Sequence, residues 1–138
     1  MNERGFASLT AILILVALAY LIRGTIYTAH NYADMSRNFE LEHRLQLAAE
    51  SAFEVQCNNL CNGENVIYNP PSDIAVTVKV DKNGAVFDGE PAVKILAVAK
   101  KNNYFAKGIH AYRSVGGFLI EEGSGDDKKY VFKGFLHS

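Results

Sequence analysis

Apolar residues dominate the first part of the chain and then give way to mixed, periodic patterns. From Phe6 to Ile22 only three side chains carry polar atoms. A helix over these residues would span about 26 Å, slightly less than the ~30 Å hydrocarbon core of a bilayer. Arg23 can extend its charged end toward the headgroups, and two further apolar residues can add another turn. The pattern predicts a membrane-spanning segment over residues 6–28.

The apolar run is followed by a stretch with the periodicity of a helix. Between Thr28 and Gln56 the chain contains neither Pro nor Gly. Apolar residues recur there at spacings of four and three, which places them on one helix face. They are Leu41, Leu45, Ala48, Ala52 and Val55. The pattern predicts one nearly continuous helix from Phe6 to about Gln56, roughly 75 Å long. Residues 29–56 form its amphipathic half, in which Glu40 and Arg44 are expected to pair one turn apart.

Beyond Cys61 the helical period changes to the alternation of strands. Residues Ile74–Val80 alternate between apolar and more polar positions, which predicts a strand with one buried face. Asn83-Gly84 follows, and this pair is a strong short-range signal for a hairpin turn. A second turn is predicted over Asp88–Pro91. Ala92–Ala99, apolar on both faces, is expected to be a central strand.

The remaining residues predict further strands joined by short turns. The expected strands are Tyr104–Val115, Phe118–Glu122 and Tyr130–Leu136. The expected breaks are Lys100–Asn103, Gly116-Gly117 and Gly123–Asp127. Short connections favour an antiparallel meander, and the apolar stripe of the helix is the partner available to cover its buried face. The predicted fold class is α+β, with a long N-terminal helix packed on a small antiparallel β-sheet head over residues 57–138.

Composition narrows the possible function classes. The chain has 138 residues, of which 49% are hydrophobic and 21% charged, so it is expected to contain one modest folded core rather than to be disordered. Lys and Arg number 14 against 15 Asp and Glu, which leaves a formal charge of -1. Proteins dedicated to nucleic acid usually carry a basic excess. We therefore expect no nucleic-acid partner.

Cys57 and Cys61 bracket the predicted end of the helix. In an exported domain, two cysteines favour a disulfide over a metal site, which needs further ligands near by. An intact helix does not place such a pair ideally for the bond, so a disulfide requires the helix to break around Asn58-Asn59. The sequence leaves two possibilities: a disulfide with that break, or two free thiols.

The sequence contains no recognisable catalytic constellation. Its four histidines lie far apart and follow no metal-ligand spacing. They are His30, His43, His110 and His137. No Gly-rich segment precedes a helix as a phosphate loop would, and no nucleophile stands out. We therefore expect no enzymatic activity, no cofactor and no metal site.

Three interpretations compete for the apolar run at the N-terminus. It can be a secretory signal peptide, for which Ala17-Leu18-Ala19 offers a cleavage site. It can be an uncleaved single-pass anchor. The third interpretation starts from Arg4-Gly5-Phe6, a Gly-aromatic junction directly before the run. Arg4 and the amino terminus place the leading residues on the cytoplasmic side of the membrane, so the rest of the chain would lie outside.

The Gly5-Phe6 junction resembles the class III leader of type IV pilins and pseudopilins. In that family a prepilin peptidase cuts after the Gly, on the cytoplasmic side, and methylates the new terminal residue, which is usually Phe. The resemblance implies a leader peptide over residues 1–5, cleavage after Gly5 and N-methylation of Phe6. A long helix, half in the membrane and half on a globular head, is also the layout of that family.

A second segment narrows the resemblance to a subgroup. Leu47–Glu54 is similar to the Ala-Glu-Ala-Ala or Ala-Glu-Ala-Gly segment of the PilX and GspK group of minor pilins, where small residues let the helix approach its sheet closely. The chain departs from the usual pilin pattern at Thr10, where most pilins carry a Glu. A carboxylate in hydrocarbon is costly unless paired, so the usual Glu implies an assembly role. Thr10 can instead satisfy its hydroxyl on its own helix backbone.

These resemblances imply a structural function. The chain is expected to be a minor pilin or pseudopilin-like subunit of a type IV pilus or a type II secretion system, acting in filament initiation or at the tip. Its partners would be prepilin peptidase, the inner (cytoplasmic) membrane, and other pilin-like subunits contacted through the N-terminal helix. It would lie in the cytoplasmic membrane with its head outside, and later in a pilus or pseudopilus at the cell surface or in the periplasm. The alternative is a membrane-anchored or secreted β-rich binding module that is not part of a filament.

Overall fold

The computed structural model describes residues 3–102 and 111–136 of the chain. The elements are a helix α1 (Glu3–Asn62), the strands β1 (Ile74–Phe87), β2 (Glu90–Lys101), β3 (Tyr112–Glu122) and β4 (Lys129–Phe135), and a short 3-10 helix (Gly125–Asp127) before β4. Residues up to Phe39 form one unit, and residues from Glu40 onward form a second compact unit. The second unit contains the last part of α1 together with the sheet.

Helix α1 is longer at both ends than the sequence predicts. It begins at Glu3 rather than Phe6, and it ends at Asn62 rather than near Gln56. Up to Phe39 every described side chain is exposed except that of Asn38, which is half-buried. By length and composition, α1 is the only described helix with a stretch apolar enough to cross a membrane.

Three threonines in this first unit satisfy their hydroxyl groups within α1. Thr10 Oγ1 donates to the carbonyl oxygen of Phe6 at 2.9 Å, as the sequence predicts. The hydroxyls of Thr25 and Thr28 bond carbonyls three or four residues before them, at 2.8–2.9 Å. Because hydrocarbon offers no hydrogen-bond partner, these bonds lower the cost of placing a hydroxyl in a bilayer.

The four strands form one antiparallel sheet in the order of the chain. This arrangement confirms the predicted meander and the α+β class. The β1–β2 hairpin turns at Asp88-Gly89, where Phe87 pairs with Glu90. Both turn residues have positive φ angles, 49° and 83°, which a two-residue turn of type I′ requires. The predicted second turn is therefore confirmed.

The hairpin predicted at Asn83-Gly84 is wrong. Strand β1 continues through these residues, and its pairing with β2 shifts register between Asp81 and Ala85. The backbone N–H of Asn83 donates to Asp81 Oδ1 at 3.0 Å, and Gly84 has a φ of 97°. Asn83-Gly84 therefore forms an irregularity within β1, and the chain reverses only at Asp88-Gly89.

The remaining predicted strands agree with the observed ones over the described residues. Ala92–Ala99 lies within β2, which is flanked by β1 and β3 and continues to Lys101, into the predicted turn. Phe118–Glu122 forms the end of β3, and Tyr130–Leu136 matches β4 closely. Of the strand predicted over Tyr104–Val115, residues 104–110 lie outside the described residues, and Tyr112–Val115 belongs to β3.

The core of the second unit lies between the last part of α1 and one face of the sheet. The predicted stripe is confirmed, because Leu41, Leu45, Ala48 and Ala52 are buried and Val55 is half-buried. Ala49 and Phe53 are buried beside them. These side chains pack against buried strand residues, among them Ile74, Val93, Ile95, Ala97, Ala99 and Leu119. Alanines lie on both of the packed surfaces, Ala48, Ala49 and Ala52 on the helix and Ala97 and Ala99 on the sheet.

The break predicted at Gly116-Gly117 is also wrong, because both glycines lie inside β3. The physical reason is close packing across the sheet. A Cβ atom on Gly117 would lie 2.8 Å from Phe53 Cζ and 2.8 Å from Phe132 Cε2. A Cβ atom on Gly116 would lie 2.6 Å from Leu136 Cδ1. The glycines leave room for neighbouring side chains rather than interrupt the strand.

Replacing Gly117 by Ala is expected to destabilise the second unit. The new methyl group would crowd two phenylalanine rings and lie 2.9 Å from the carbonyl oxygen of Gly134. Overpacking of this kind typically costs about 1–3 kcal/mol, measurable as a lower denaturant midpoint. Phe132→Leu should relieve part of the crowding, so the double variant should lose less stability than the sum of the two single variants. Strict additivity would contradict this explanation.

Candidate functional site

The residues of the predicted leader junction lie in the first turns of α1. Gly5 has open space around it, since apart from its chain neighbours and the nearby helix backbone no described atom lies within 4 Å of an ideal Cβ position. The side chain of Phe6 is 61% exposed. The Thr10 hydroxyl donates a hydrogen bond to the Phe6 carbonyl oxygen, one turn back on the same helix. The junction therefore lies within the helix, with an exposed aromatic side chain and no carboxylate at the Thr10 position.

The two cysteines are free thiols inside an unbroken helix. The helix continues through Asn58-Asn59, so of the two possibilities that the sequence leaves, the structure shows the free thiols. Both thiols are half-buried. Burial, together with the nearby Cys61 and Glu54, raises the pKa of Cys57 to about 11. Because the thiolate is the reactive form, Cys57 is a weak nucleophile at neutral pH.

Asn59 has a structural role that sequence reasoning missed. Its amide Nδ2 donates to the carbonyl oxygen of Val66 at 2.8 Å, and its Oδ1 accepts from the backbone N–H of Val66 at 2.9 Å. The pair of bonds satisfies the backbone of Val66 as a neighbouring strand would. It fixes the segment that leaves the helix, while the side chain of Val66 stays exposed.

Two sets of ion pairs connect α1 with the sheet. The predicted pair of Arg44 with Glu40 is not among the ion pairs of the described residues, and the Arg44 guanidinium lies 3.0 Å from Asp73 Oδ1 instead. Lys101 Nζ lies 3.2 Å from the other carboxylate oxygen of Asp73, Oδ2. On β3, Arg113 lies 2.7 Å from Glu42 Oε2. These contacts join segments far apart in the sequence, so no local spacing pattern could indicate them.

Asp73 is expected to make the stability of the second unit depend on pH in the acidic range. The hydrogen bond from Lys101, the bond from its own backbone and the charge of Arg44 hold the pKa of its carboxyl below the usual 3.8, against an opposing effect of desolvation. A lowered folded-state pKa adds stability above the ordinary pKa, and that stability is lost as pH falls through the folded value. The loss should therefore occur below about pH 4.

The expected result is that Asp73→Asn lowers the denaturant midpoint at neutral pH and has a smaller effect near pH 2, because the wild-type carboxyl is then protonated as well. Unfolding curves at both pH values measure the difference. Asp126→Asn is the control, since the structure shows no ion pair for Asp126 among the described residues. An Asp73→Asn effect of equal size at both pH values would contradict the ion-pair explanation.

A groove of about 770 Å³ opens between α1 and the β3–β4 side of the sheet. Its aromatic part is formed by Phe53, Phe132 and Phe135, and the helix side carries Glu50 and Glu54. The three ring centroids lie 5.0–6.1 Å apart, in tilted or edge-to-face arrangements favoured by aromatic pairs. The sequence did not predict this groove, because its residues come from four separate elements, α1, β2, β3 and β4.

The described residues offer no further chemical constellation. Among them there is no group of three or more His, Cys, Asp or Glu side chains that could hold a metal ion. His30 and His43 are exposed on α1, and His110 and His137 lie outside the described residues. Comparisons with family models, with curated proteins and with solved structures find no match for the chain.

Proposed function

We propose that the chain is a minor pilin or pseudopilin-like structural subunit of a type IV pilus or a type II secretion system. In this proposal a prepilin peptidase cleaves after Gly5, on the cytoplasmic side, and methylates Phe6. The apolar part of α1 then anchors the subunit in the cytoplasmic membrane, with the sheet outside. The subunit acts in filament initiation or at the filament tip rather than along the shaft.

One observation carries this proposal. A single uninterrupted helix contains the apolar stretch directly after Gly5-Phe6 and also supplies the buried stripe that covers the antiparallel sheet. A cleaved secretory signal gives no reason for helical continuity between its apolar core and the mature domain. A filament subunit has such a reason, because one helix must both pack among membrane helices and hold the head.

The test is the intact mass and the N-terminal residue of the chain purified from membranes of its native host. The proposal expects a chain that begins at Phe6 and carries one additional methyl group. A chain beginning at Tyr20 would indicate signal-peptidase cleavage, and a chain beginning at Met1 would indicate an uncleaved anchor. Either of these results would contradict the proposal.

Thr10 leads to a prediction about the number of copies in a filament. A buried amino terminus in a helix bundle needs an anionic partner, and Thr10 cannot provide one to a neighbouring copy. The subunit is therefore expected to be rare and near one end of a filament, and Thr10→Glu should be tolerated or should increase its incorporation. Immuno-electron microscopy of a labelled head counts the copies. Dense, uniform decoration of wild-type filaments would contradict the tip or initiation role.

The second candidate function is a membrane-anchored binding module that forms no filament. The exposed aromatic groove between α1 and the sheet favours it. The mass measurement distinguishes the candidates, because a binding module has no need of a methylated Phe6. We propose the filament subunit first, since the binding module leaves the Gly5-Phe6 junction without a role.

A further inference from the structure

Strand β4 is an edge of the sheet. It pairs with β3 on one side, and no other strand of the described residues pairs with its second side. An edge strand presents unpaired backbone N–H and C=O groups and can therefore accept another extended chain. Proteins use such edges to bind peptides, with backbone bonds giving affinity and side-chain pockets giving specificity.

The aromatic groove lies directly beside this edge, because Phe132 and Phe135 belong to β4 and line the groove. Their side chains are 39% and 59% exposed. Phe53 on α1 contacts both rings and is itself buried. The three rings therefore form a supported apolar surface that is open to solvent. Burying such a surface against an apolar side chain is favourable.

The charges around the groove indicate the kind of side chain that suits it. Glu50 and Glu54 stand on its helix side, and Lys94 is the cation among its described lining residues. Strand β4 carries two lysines, Lys129 and Lys133, and Lys133 is paired with Glu122. The carboxylates of the helix side have no cationic partner among the described residues. A partner with a Lys or Arg close to its apolar side chains would complement them.

We propose that the edge of β4 and the adjacent groove bind an extended segment of a partner protein. The segment pairs with β4 as an additional strand, places alternate apolar or aromatic side chains over Phe132 and Phe135, and directs a basic side chain toward Glu50 and Glu54. This site lies wholly in the second unit and does not depend on whether Gly5 is cleaved. It gives the head a binding role in either of the two candidate functions.

The probe is a capped, fluorescent heptapeptide of sequence KFTFKVT, titrated into the full chain held in lipid nanodiscs. Empty nanodiscs measure any binding to the lipid itself. We expect saturable binding with a Kd below about 1 mM. N-methylation of alternate backbone nitrogens removes the donors that strand pairing needs, so it should weaken binding at least about tenfold. Replacing both lysines of the peptide by Glu should also weaken it.

Two variants test the site on the protein. Phe135→Lys places a charge on the aromatic surface and should weaken binding at least about tenfold. Glu54→Lys changes an exposed helix residue, so the fold should tolerate it. The variant should bind the basic peptide more weakly, because the new lysine repels the lysines of the peptide. The matched control is Val86→Lys on the opposite edge strand, where the side chain is 60% exposed. This control should change the Kd by less than about twofold.

Several results would overturn the proposal. One is the absence of saturable binding up to about 1 mM peptide. Another is binding that tolerates N-methylation, because it would indicate an apolar groove without strand pairing. A third is self-association of the full chain that Phe135→Lys abolishes, because a second copy would then occupy the site. Weakening by Phe135→Lys and by N-methylation, with no effect of Val86→Lys, would support it.

Discussion

A Gly5→Leu variant is expected to remain unprocessed in a host that carries a prepilin peptidase. The branched side chain would obstruct the protease at the bond between Gly5 and Phe6, where glycine offers no side chain at all. The fold gives no reason for the variant to fail otherwise. Apart from the chain neighbours and the nearby helix backbone, no described atom lies within 4 Å of a Cβ at this position, and Leu is a better helix former than Gly by about 1 kcal/mol. Intact-mass analysis should find the full-length chain and no methylated product.

The matched control is Gly24→Leu on the same helix. Gly24 also has open space around its Cβ position, so the same substitution is made without touching the junction. This variant should be processed like the wild-type chain. Normal processing of Gly5→Leu would count decisively against the pilin-like proposal, whereas loss of processing in both variants would indicate a general defect in membrane insertion.

Periodicity predicted the elements of this fold better than it predicted their connections. The helical stripe from Leu41 to Ala52 and the alternation of Ile74–Val80 both report which face is buried, and burial dominates the free energy of folding. One buried face on the helix and one on the sheet leave few ways to combine the two. The helix-on-sheet arrangement could therefore be predicted without any knowledge of individual contacts.

The choice between turn signals could not be made from the sequence. Asn83-Gly84 and Asp88-Gly89 are equivalent by local criteria, because both pairs suit a two-residue type I′ turn. The structure uses the second pair and keeps the first inside β1. With the turn at Asp88-Gly89, the pairing of β1 with β2 extends from Ile74 to Phe87. The additional backbone pairing depends on residues far apart in the sequence, so no short sequence pattern could indicate it. The break predicted at Gly116-Gly117 is wrong for the same reason, because the phenylalanine rings that crowd Gly117 come from α1 and β4.

The features that define the head surface depend on contacts between distant residues. Asn59 bonds Val66 across the helix end, and Arg44 reaches Asp73. Helix α1 continues through Asn58-Asn59, and the Asn59 side chain satisfies the backbone of Val66 rather than its own. The leader junction, in contrast, is a contiguous motif. Its residues could be singled out from the sequence alone, although its processing stays a prediction.

Leu45→Ala is expected to destabilise the second unit by about 2–5 kcal/mol, the usual range for emptying a buried leucine site. Leu45 is fully buried and belongs to the cluster that joins α1 to Ile74 and Ala99. Its neighbours include small residues such as Ala48 and Ala49. These have no flexible side chain that could move into the space, so a cavity should remain and the loss should lie in the upper part of the range.

Leu47→Ala is the matched control, because the same substitution two positions away removes a side chain that is 49% exposed. It should change the free energy of unfolding by less than about 0.5 kcal/mol. Denaturation of the full chain in detergent micelles can be followed by tyrosine near-ultraviolet circular dichroism, since the chain contains Tyr and no Trp. Near-ultraviolet signals report tertiary packing rather than helix content, so the membrane half of α1 should not obscure the transition. Equal, small losses for Leu45→Ala and Leu47→Ala would mean that the helix does not cover the sheet in solution.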